Sequence, residues 1–265
     1  MKIRRIMLGI AALSFAVHGL GSDEAGLQWK DPKFKEQFLG SFGVNSGVEP
    51  GISEEDRLLM QEILPLLEAD DTAGAIELLE AGRLPESGAV IDFTLGNLYY
   101  QRDDLEAAAA HYRTAIERFP AYRRAHKNLG LLYVRNGLQE KAVPHLSHVI
   151  QSGAGDGLTY GLLGHCYLSQ ARYMEAESAF RTAVLLQPDL SDWRKGLLQS
   201  VIKQQKYGEA IAMADTMLAA EPGNTDIWLL QANAYIGLNQ PMNAAQNYEL
   251  MHRAGTLPVE GIYTL

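Results

Sequence analysis

His145 and His148 stand three residues apart, the spacing that puts two imidazoles on one face of a helix where both could reach a single metal ion. A protein-bound transition metal needs three or four such ligands. No carboxylate or third histidine stands at a matching spacing, so the pair reads as part of a solvated helix face. Gly153-Ala154-Gly155-Asp156-Gly157 has the glycine content of a phosphate loop. It follows a helical pattern rather than a strand and lacks the Lys-Ser/Thr that would meet phosphate and magnesium, so a turn between helices is expected. Gly40-Ser41-Phe42-Gly43 lacks the Gly-x-Ser-x-Gly spacing of a nucleophile elbow. The neighbouring carboxylates Asp70-Asp71 and Asp103-Asp104 fall where turns are expected, and capping accounts for them. Cys166, the sole cysteine, leaves no intramolecular disulfide and reads as a buried, inert thiol beside Tyr167. These residues assemble no nucleophile, base and orienting group, so we expect no catalysis, no metal and no cofactor.

The elements that carry these residues announce themselves by a fixed interval. Gly96, Gly130 and Gly164 follow one another at 34 residues, each inside a Leu-Gly-x-x-Tyr block. Alanine keeps the same interval at Ala108, Ala142, Ala176, Ala210 and Ala244. A period that strict is the mark of a repeat architecture. Leu163, Gly164 and Tyr167 cluster on one helical face. Gly164 removes the side chain where a partner helix approaches, and Ala176 and Ala183 do the same from that partner, while the tyrosines and Phe180 fill the space between units. No single helix pair can bury its apolar face, so stability comes from stacking neighbours. Gly137 and Asn239 sit between paired helices, where a left-handed residue ends a helix. Pro188-Asp189 and Pro222-Gly223-Asn224 break the chain between units. We find no comparable run of alternating apolar residues that would argue for a sheet.

The residues at this interval resemble the tetratricopeptide repeat (TPR) family, a helix-turn-helix unit of about 34 residues with the pattern W-x2-L-G-x2-Y, then A, an aromatic and P. Unit 157–190 matches at Tyr160, Leu163, Gly164, Tyr167, Ala176, Phe180, Ala183 and Pro188. Unit 89–122 matches at Leu95, Gly96, Tyr99, Ala108, Tyr112, Ala115 and Pro120, with Asp92 in the Trp slot. Unit 123–156 is weaker, with His126 in the Trp slot and Ala154 in the Pro slot. Unit 191–224 has Leu198 for Gly and Val201 for Tyr, and 225–258 restores the pattern at Trp228, Ala232, Tyr235, Ala244 and Tyr248. Residues 55–88, with Pro65 inside the first helix, look like a degenerate leading repeat. The resemblance covers 55–265 and implies an all-α, right-handed solenoid of about six repeats. Counting on from Thr225 starts an incomplete unit at 259–265, where Ile262 and Leu265 take apolar positions and no polar capping helix follows. A longer solenoid, or an apolar end that self-associates or meets a partner, is expected there.

The resemblance also implies a concave groove built from positions 2, 5, 9, 12 and 13 of each first helix. Among the residues that fall there are Phe93, Asn97 and Tyr100, then Arg124, Lys127, Leu131 and Arg135, then His165. The last two repeats supply Lys195, Gln199 and Lys203, then Leu229 and Asn233. Over all these positions five residues are basic and two, Asp192 and Asp226, are acidic. That balance favours an acidic or carboxylate-bearing peptide with apolar anchors. Asn97 and Asn128 coincide with the two asparagines of the carboxylate clamp that some TPR domains use for chaperone C-termini. Phe93, Leu158 and Leu162 occupy the basic positions of that clamp, so the resemblance does not extend to its carboxylate-binding cations.

The ends have a different composition. In residues 1–22, Lys2, Arg4 and Arg5 precede an apolar run from Ile6 to Val17, shorter than the roughly 20 residues of a membrane span and suited to a secretory signal peptide. Val17-His18-Gly19 and Gly19-Leu20-Gly21 are the candidate cleavage ends, with a retained N-terminal anchor as the alternative. A protein that is periplasmic or secreted, with no stable membrane span after cleavage, is expected. Removing those three basic residues takes the formal net charge from −9 to −12, which argues against nucleic acid as a partner. Segment 23–54 holds Asp31-Pro32, suited to starting a helix, then Phe34, Phe38 and Phe42 on one aromatic face and Ser53-x-x-Asp56 as a capping box. This arm either docks on the solenoid or binds a partner. The string Trp29-x-Asp31-Pro32-x-Phe34, Phe38-Leu39-Gly40-Ser41-Phe42-Gly43 and Glu49-Pro50 resembles the leading segment of envelope TPR proteins that accompany TonB-type systems. The sequence therefore predicts a non-catalytic adaptor for a protein or acidic peptide. The alternative is a subunit or fragment of a larger enzyme complex whose repeats hold a substrate.

Overall fold

The computed structural model describes residues 47–255. Among them twelve α-helices follow one another as six pairs and no strand occurs. The pairs are α1 (Glu54–Glu68) with α2 (Thr72–Gly82), α3 (Ala89–Gln101) with α4 (Leu105–Arg118), and α5 (Arg123–Arg135) with α6 (Gln139–Gln151). They continue as α7 (Gly157–Ser169) with α8 (Tyr173–Leu186), α9 (Ser191–Lys203) with α10 (Tyr207–Ala220), and α11 (Thr225–Gly237) with α12 (Pro241–Arg253). The segment read as a signal peptide, the expected face of Phe34, Phe38 and Phe42, Gly40 to Gly43 and the expected incomplete unit at 259–265 lie outside the described residues.

Each pair turns on one left-handed residue: Asp70, Asp103, Gly137, Ala171, Gln205 and Asn239, with φ between 58° and 69°. In the two Asp-Asp turns the labour is divided. The first aspartate takes the left-handed backbone, and the second caps the next helix, Asp71 accepting the Gly74 N–H at 2.9 Å and Asp104 the Ala107 N–H at 3.1 Å. Ser53 and Asp56 form only half of a capping box. Ser53 Oγ accepts the Asp56 N–H at 3.0 Å, whereas the Asp56 carboxylate turns away and accepts the Gly88 N–H at 2.8 Å, tying the first pair to the start of the second.

The recurring small residues mark helix crossings. A Cβ at Gly96 would lie 2.6 Å from the ring of Tyr112, and one at Gly164 would lie 2.9 Å from Phe180. Opposite them Ala108, Ala142, Ala176 and Ala210 are wholly buried. Apolar clusters cross from pair to pair: a single cluster holds Phe180 of α8, Trp193 and Leu197 of α9, Leu218 of α10 and Ile227 of α11. First helices α5, α7, α9 and α11 also touch one another in succession.

The Trp slot shows how the interior tolerates other residues. Trp228 donates its Nε1–H to the Pro222 carbonyl at 2.8 Å. His126 repeats this contact with Nε2 at 3.0 Å from the Pro120 carbonyl. Asp92 has no solvent exposure and is ringed by Arg83 at 2.8 Å, Arg118 at 2.9 Å and His111 at 3.6 Å. A charge in that position survives because three basic groups enclose it.

Candidate peptide-binding groove

The residues that the resemblance assigns to an inner groove come from five first helices, α3, α5, α7, α9 and α11. Arg135, Lys203 and Asn233 are exposed; Asn97, Tyr100, Arg124, Lys127, Leu131, His165, Lys195, Gln199 and Leu229 are partly exposed. Phe93 does not reach the surface. It is 4% exposed, its ring centroid lies 4.9 Å from that of Tyr122, and the Arg124 guanidinium sits 5.4 Å above it. Its role is to floor a cation rather than to meet a ligand. Asn97 is engaged too, its Oδ1 accepting the Tyr112 hydroxyl at 2.7 Å and the Asn128 amide at 2.8 Å. The two asparagines that match the carboxylate clamp therefore brace neighbouring repeats against each other.

Three groove cations, Lys127, Arg135 and Lys195, are paired with carboxylates, which groove position alone does not show. Lys127 meets Asp156 at 2.5 Å, Arg135 meets Asp103 at 2.6 Å, and Lys195 meets Asp226 at 3.2 Å. The Arg135 and Lys195 pairs join neighbouring repeats, and Lys127 reaches the capping residue of α7 at the end of its own unit, so the wall carries a ladder of both signs instead of a bare positive stripe. Burial pushes the Asp156 carboxyl up, but the Lys127 ammonium and two hydrogen bonds from Thr159 outweigh it and hold the group below its ordinary value. These half-exposed pairs contribute only about 0.2–1 kcal/mol each, so a carboxylate from a partner can replace the resident acid at small cost. Lys203 has no carboxylate within 4.0 Å among the described residues.

Arg124 differs from the others. Its Nε–H donates to Glu49 Oε2 at 2.8 Å, and that glutamate side chain is only 4% exposed. Arg123 Nε lies 3.4 Å from Oε1 of the same carboxylate, and the Arg123 backbone N–H donates to the Val48 carbonyl at 3.0 Å. The sequence presents Glu49-Pro50 only as part of an arm; nothing in its spacing announces that the arm reaches α5.

His145 and His148 do not lie on a solvated face but pack against His126 from the preceding helix, with His126 stacked on His148 at 4.0 Å between centroids and Nδ1 of His126 2.9 Å from Nδ1 of His145. The third histidine stood in the Trp slot, nineteen and twenty-two residues before the pair, a separation that helical spacing alone does not connect. Because a carbonyl only accepts, His126 carries its proton on Nε2 toward Pro120, its Nδ1 accepts, and His145 donates. Burial, followed by the two neighbouring imidazoles, pushes His145 down to about 4; burial also lowers His126. Among the described residues no three His, Cys, Asp or Glu side chains are placed to hold a metal ion. Groups held neutral in this way take up protons more readily in the unfolded chain, so stability is complete above the ordinary histidine value near 6.5 and falls as pH drops from there toward about 4. We expect denaturation midpoints to fall between pH 7 and 5, and to fall less steeply in His145→Gln; an unchanged slope would locate the acid sensitivity elsewhere. Cys166 is wholly buried, and burial pushes its thiol up to about 12, in keeping with an inert side chain.

Profiles of the tetratricopeptide repeat match residues 93–156, 159–190 and 201–246, together more than half of the chain. The chain is a solenoid of tetratricopeptide repeats, the class of fold that serves as a scaffold for protein–protein interaction. Similar solved structures include a tetratricopeptide repeat protein from Parabacteroides merdae, 18% identical with TM-score 0.58 over 80% of this chain and 84% of that one. YrrB, described as a TPR protein with an unusual peptide-binding site, is 19% identical with TM-score 0.59 over 67% of this chain and 89% of its own. MamA aligns with TM-score 0.56 at 19% identity over 61% of this chain and 88% of its own. At these identities the likeness is one of fold. Among curated proteins, the BBSome complex member BBS4 of Bos taurus is 25% identical over 193 residues, 58% of this chain. The general transcriptional corepressor trfA of Dictyostelium discoideum is 41% identical over 61 residues, 22% of this chain. The chain spans 36% of the length of the first and 4% of the second. Among the described residues no helix is long and apolar enough to cross a membrane.

Proposed function

We propose that this protein is a non-catalytic adaptor that holds an acidic segment of a protein partner along the inner wall of its repeats. The observation that carries the reading is the ladder of Lys127, Arg135 and Lys195, whose resident acids are half exposed and weakly held, with Leu131, Tyr100 and Leu229 partly exposed beside it for apolar anchoring. A scaffold role is in keeping with BBS4 being a member of the BBSome complex and with YrrB having a peptide-binding site. The basic and apolar opening of the sequence supports export to the periplasm or cell exterior, and the aromatic string from Trp29 to Pro50 supports an accessory place beside a TonB-type system. The last described pair exposes Ile236, Leu238, Met242 and Leu250, apolar surface that supports association with a second copy or a partner at that end.

Reversing Lys127 and Lys195 to glutamate tests the groove. Partner capture should weaken about tenfold, equivalent to 1.4 kcal/mol, and its dependence on salt should flatten because two screened attractions are gone. Unchanged capture by a variant that melts like the wild type would remove the groove from the binding site.

A further inference from the structure

Residues 48–50 approach the groove as a ligand would. The Val48 carbonyl accepts the backbone N–H of Arg123 at 3.0 Å. Glu49, 3% exposed, presents one carboxylate oxygen to Arg124 Nε at 2.8 Å and the other toward Arg123 Nε at 3.4 Å. Arg124 in turn rests over the rings of Phe93 and Tyr122, 5.4 and 5.7 Å from their centroids. Beside this pair the Tyr122 hydroxyl is fully buried and has no hydrogen-bond partner, and Pro50 is buried as well. A main-chain hydrogen bond, a carboxylate on an arginine and an aromatic floor under that arginine are what recognition of a short acidic peptide requires. Here they are supplied from within the chain, across 75 residues, by a segment that precedes the first helix pair.

We propose that residues 48–50 are an intramolecular acidic ligand, seated at the Arg123–Arg124 station, that keeps this end of the groove closed to an acidic segment in trans until Glu49 is released. The proposal rests on the reading of the groove as a binder of acidic protein segments and adds its control. A tethered segment acts at an effective concentration on the order of millimolar, so a free segment of equal chemistry competes poorly. The Lys127, Arg135 and Lys195 pairs differ in this respect, because their acids stand half in water. A partner would thus be admitted first along the ladder, and Glu49 would yield only to a segment that also gains contacts there.

A fluorescent peptide with the sequence of residues 45–53, Asn-Ser-Gly-Val-Glu-Pro-Gly-Ile-Ser, titrated by anisotropy into the full chain, tests this. The Glu49→Gln chain should bind the peptide at least tenfold more tightly than the wild type. Adding Arg124→Ala should abolish that gain, as should a peptide whose glutamate is replaced by glutamine. Glu49→Asp, which keeps the charge but withdraws it by one methylene, should give an intermediate gain and serves if Glu49→Gln melts far below the wild type. Equal affinity for wild-type and Glu49→Gln chains, or binding indifferent to Arg124, would overturn the proposal. The titration reads the station alone and the charge-reversal capture reads the partner, so either result can fail without the other.

Discussion

Asp92→Ala should lower the stability of the folded chain by about 3 kcal/mol, the low end of what breaking a buried ion pair costs. The carboxylate is wholly buried, while Arg83, Arg118 and His111 keep 31%, 25% and 16% of their side-chain exposure. Removing it leaves three basic groups confined together, and their partial access to water limits the loss. Lys127→Ala is the natural contrast, since its pair with Asp156 is 36% and 47% exposed and should contribute less than about 1 kcal/mol. Chemical denaturation of the two variants checks the pair of values. Similar midpoints would mean that the Asp92 cluster adds nothing to the packing of α3 against its neighbours.

Gly96→Leu should cost about 1–3 kcal/mol through overpacking, because even its Cβ would stand 2.6 Å from the Tyr112 ring. Tyr112 cannot step aside freely: it is 1% exposed and its hydroxyl is spent on Asn97. Gly208→Ala is the control, at a helical position where an added Cβ meets nothing within 4 Å. Stiffening the unfolded chain there should raise stability by about 0.4–1 kcal/mol. Denaturation midpoints that move in the same direction for both would contradict the register assigned to the small residues.

The repeat fold was legible because close approach admits few side chains. Gly96, Gly130 and Gly164 recur where a ring or leucine side chain of the paired helix presses on the backbone, and that restriction prints itself at a fixed interval. The turns were legible only where the residue type betrays its backbone. Gly137 and Asn239 favour left-handed φ, whereas Ala171 and Gln205 take the same conformation at 58° and 62° because the flanking helices impose it. Counting 34 residues from either recognised turn would have located them. The groove was harder. Sequence position assigns Lys127, Lys195 and Asp226 to the inner wall, but Asp103 and Asp156 fall in turns outside the groove positions, so the pairing of cations with acids showed only once the partners were in view. Phe93 occupies a groove position and lies under Arg124, since a large apolar ring gains more from burial than from exposure at the wall. The contact of Glu49 with α5 and the meeting of His126 with His145 join residues whose separation follows no helical period, and only the fold brings them together.

An adaptor that works through its inner wall must touch its partner there and nowhere comparable on the outer helices. A photo-crosslinking amino acid placed at Leu131 on α5, and separately at exposed Ser178 on α8, reads this directly in cells that produce the full chain. The account predicts a discrete protein adduct from Leu131 that disappears in the Lys127→Glu, Lys195→Glu chain, and none from Ser178. An adduct from Ser178 alone, or one from Leu131 that survives both charge reversals, would contradict it.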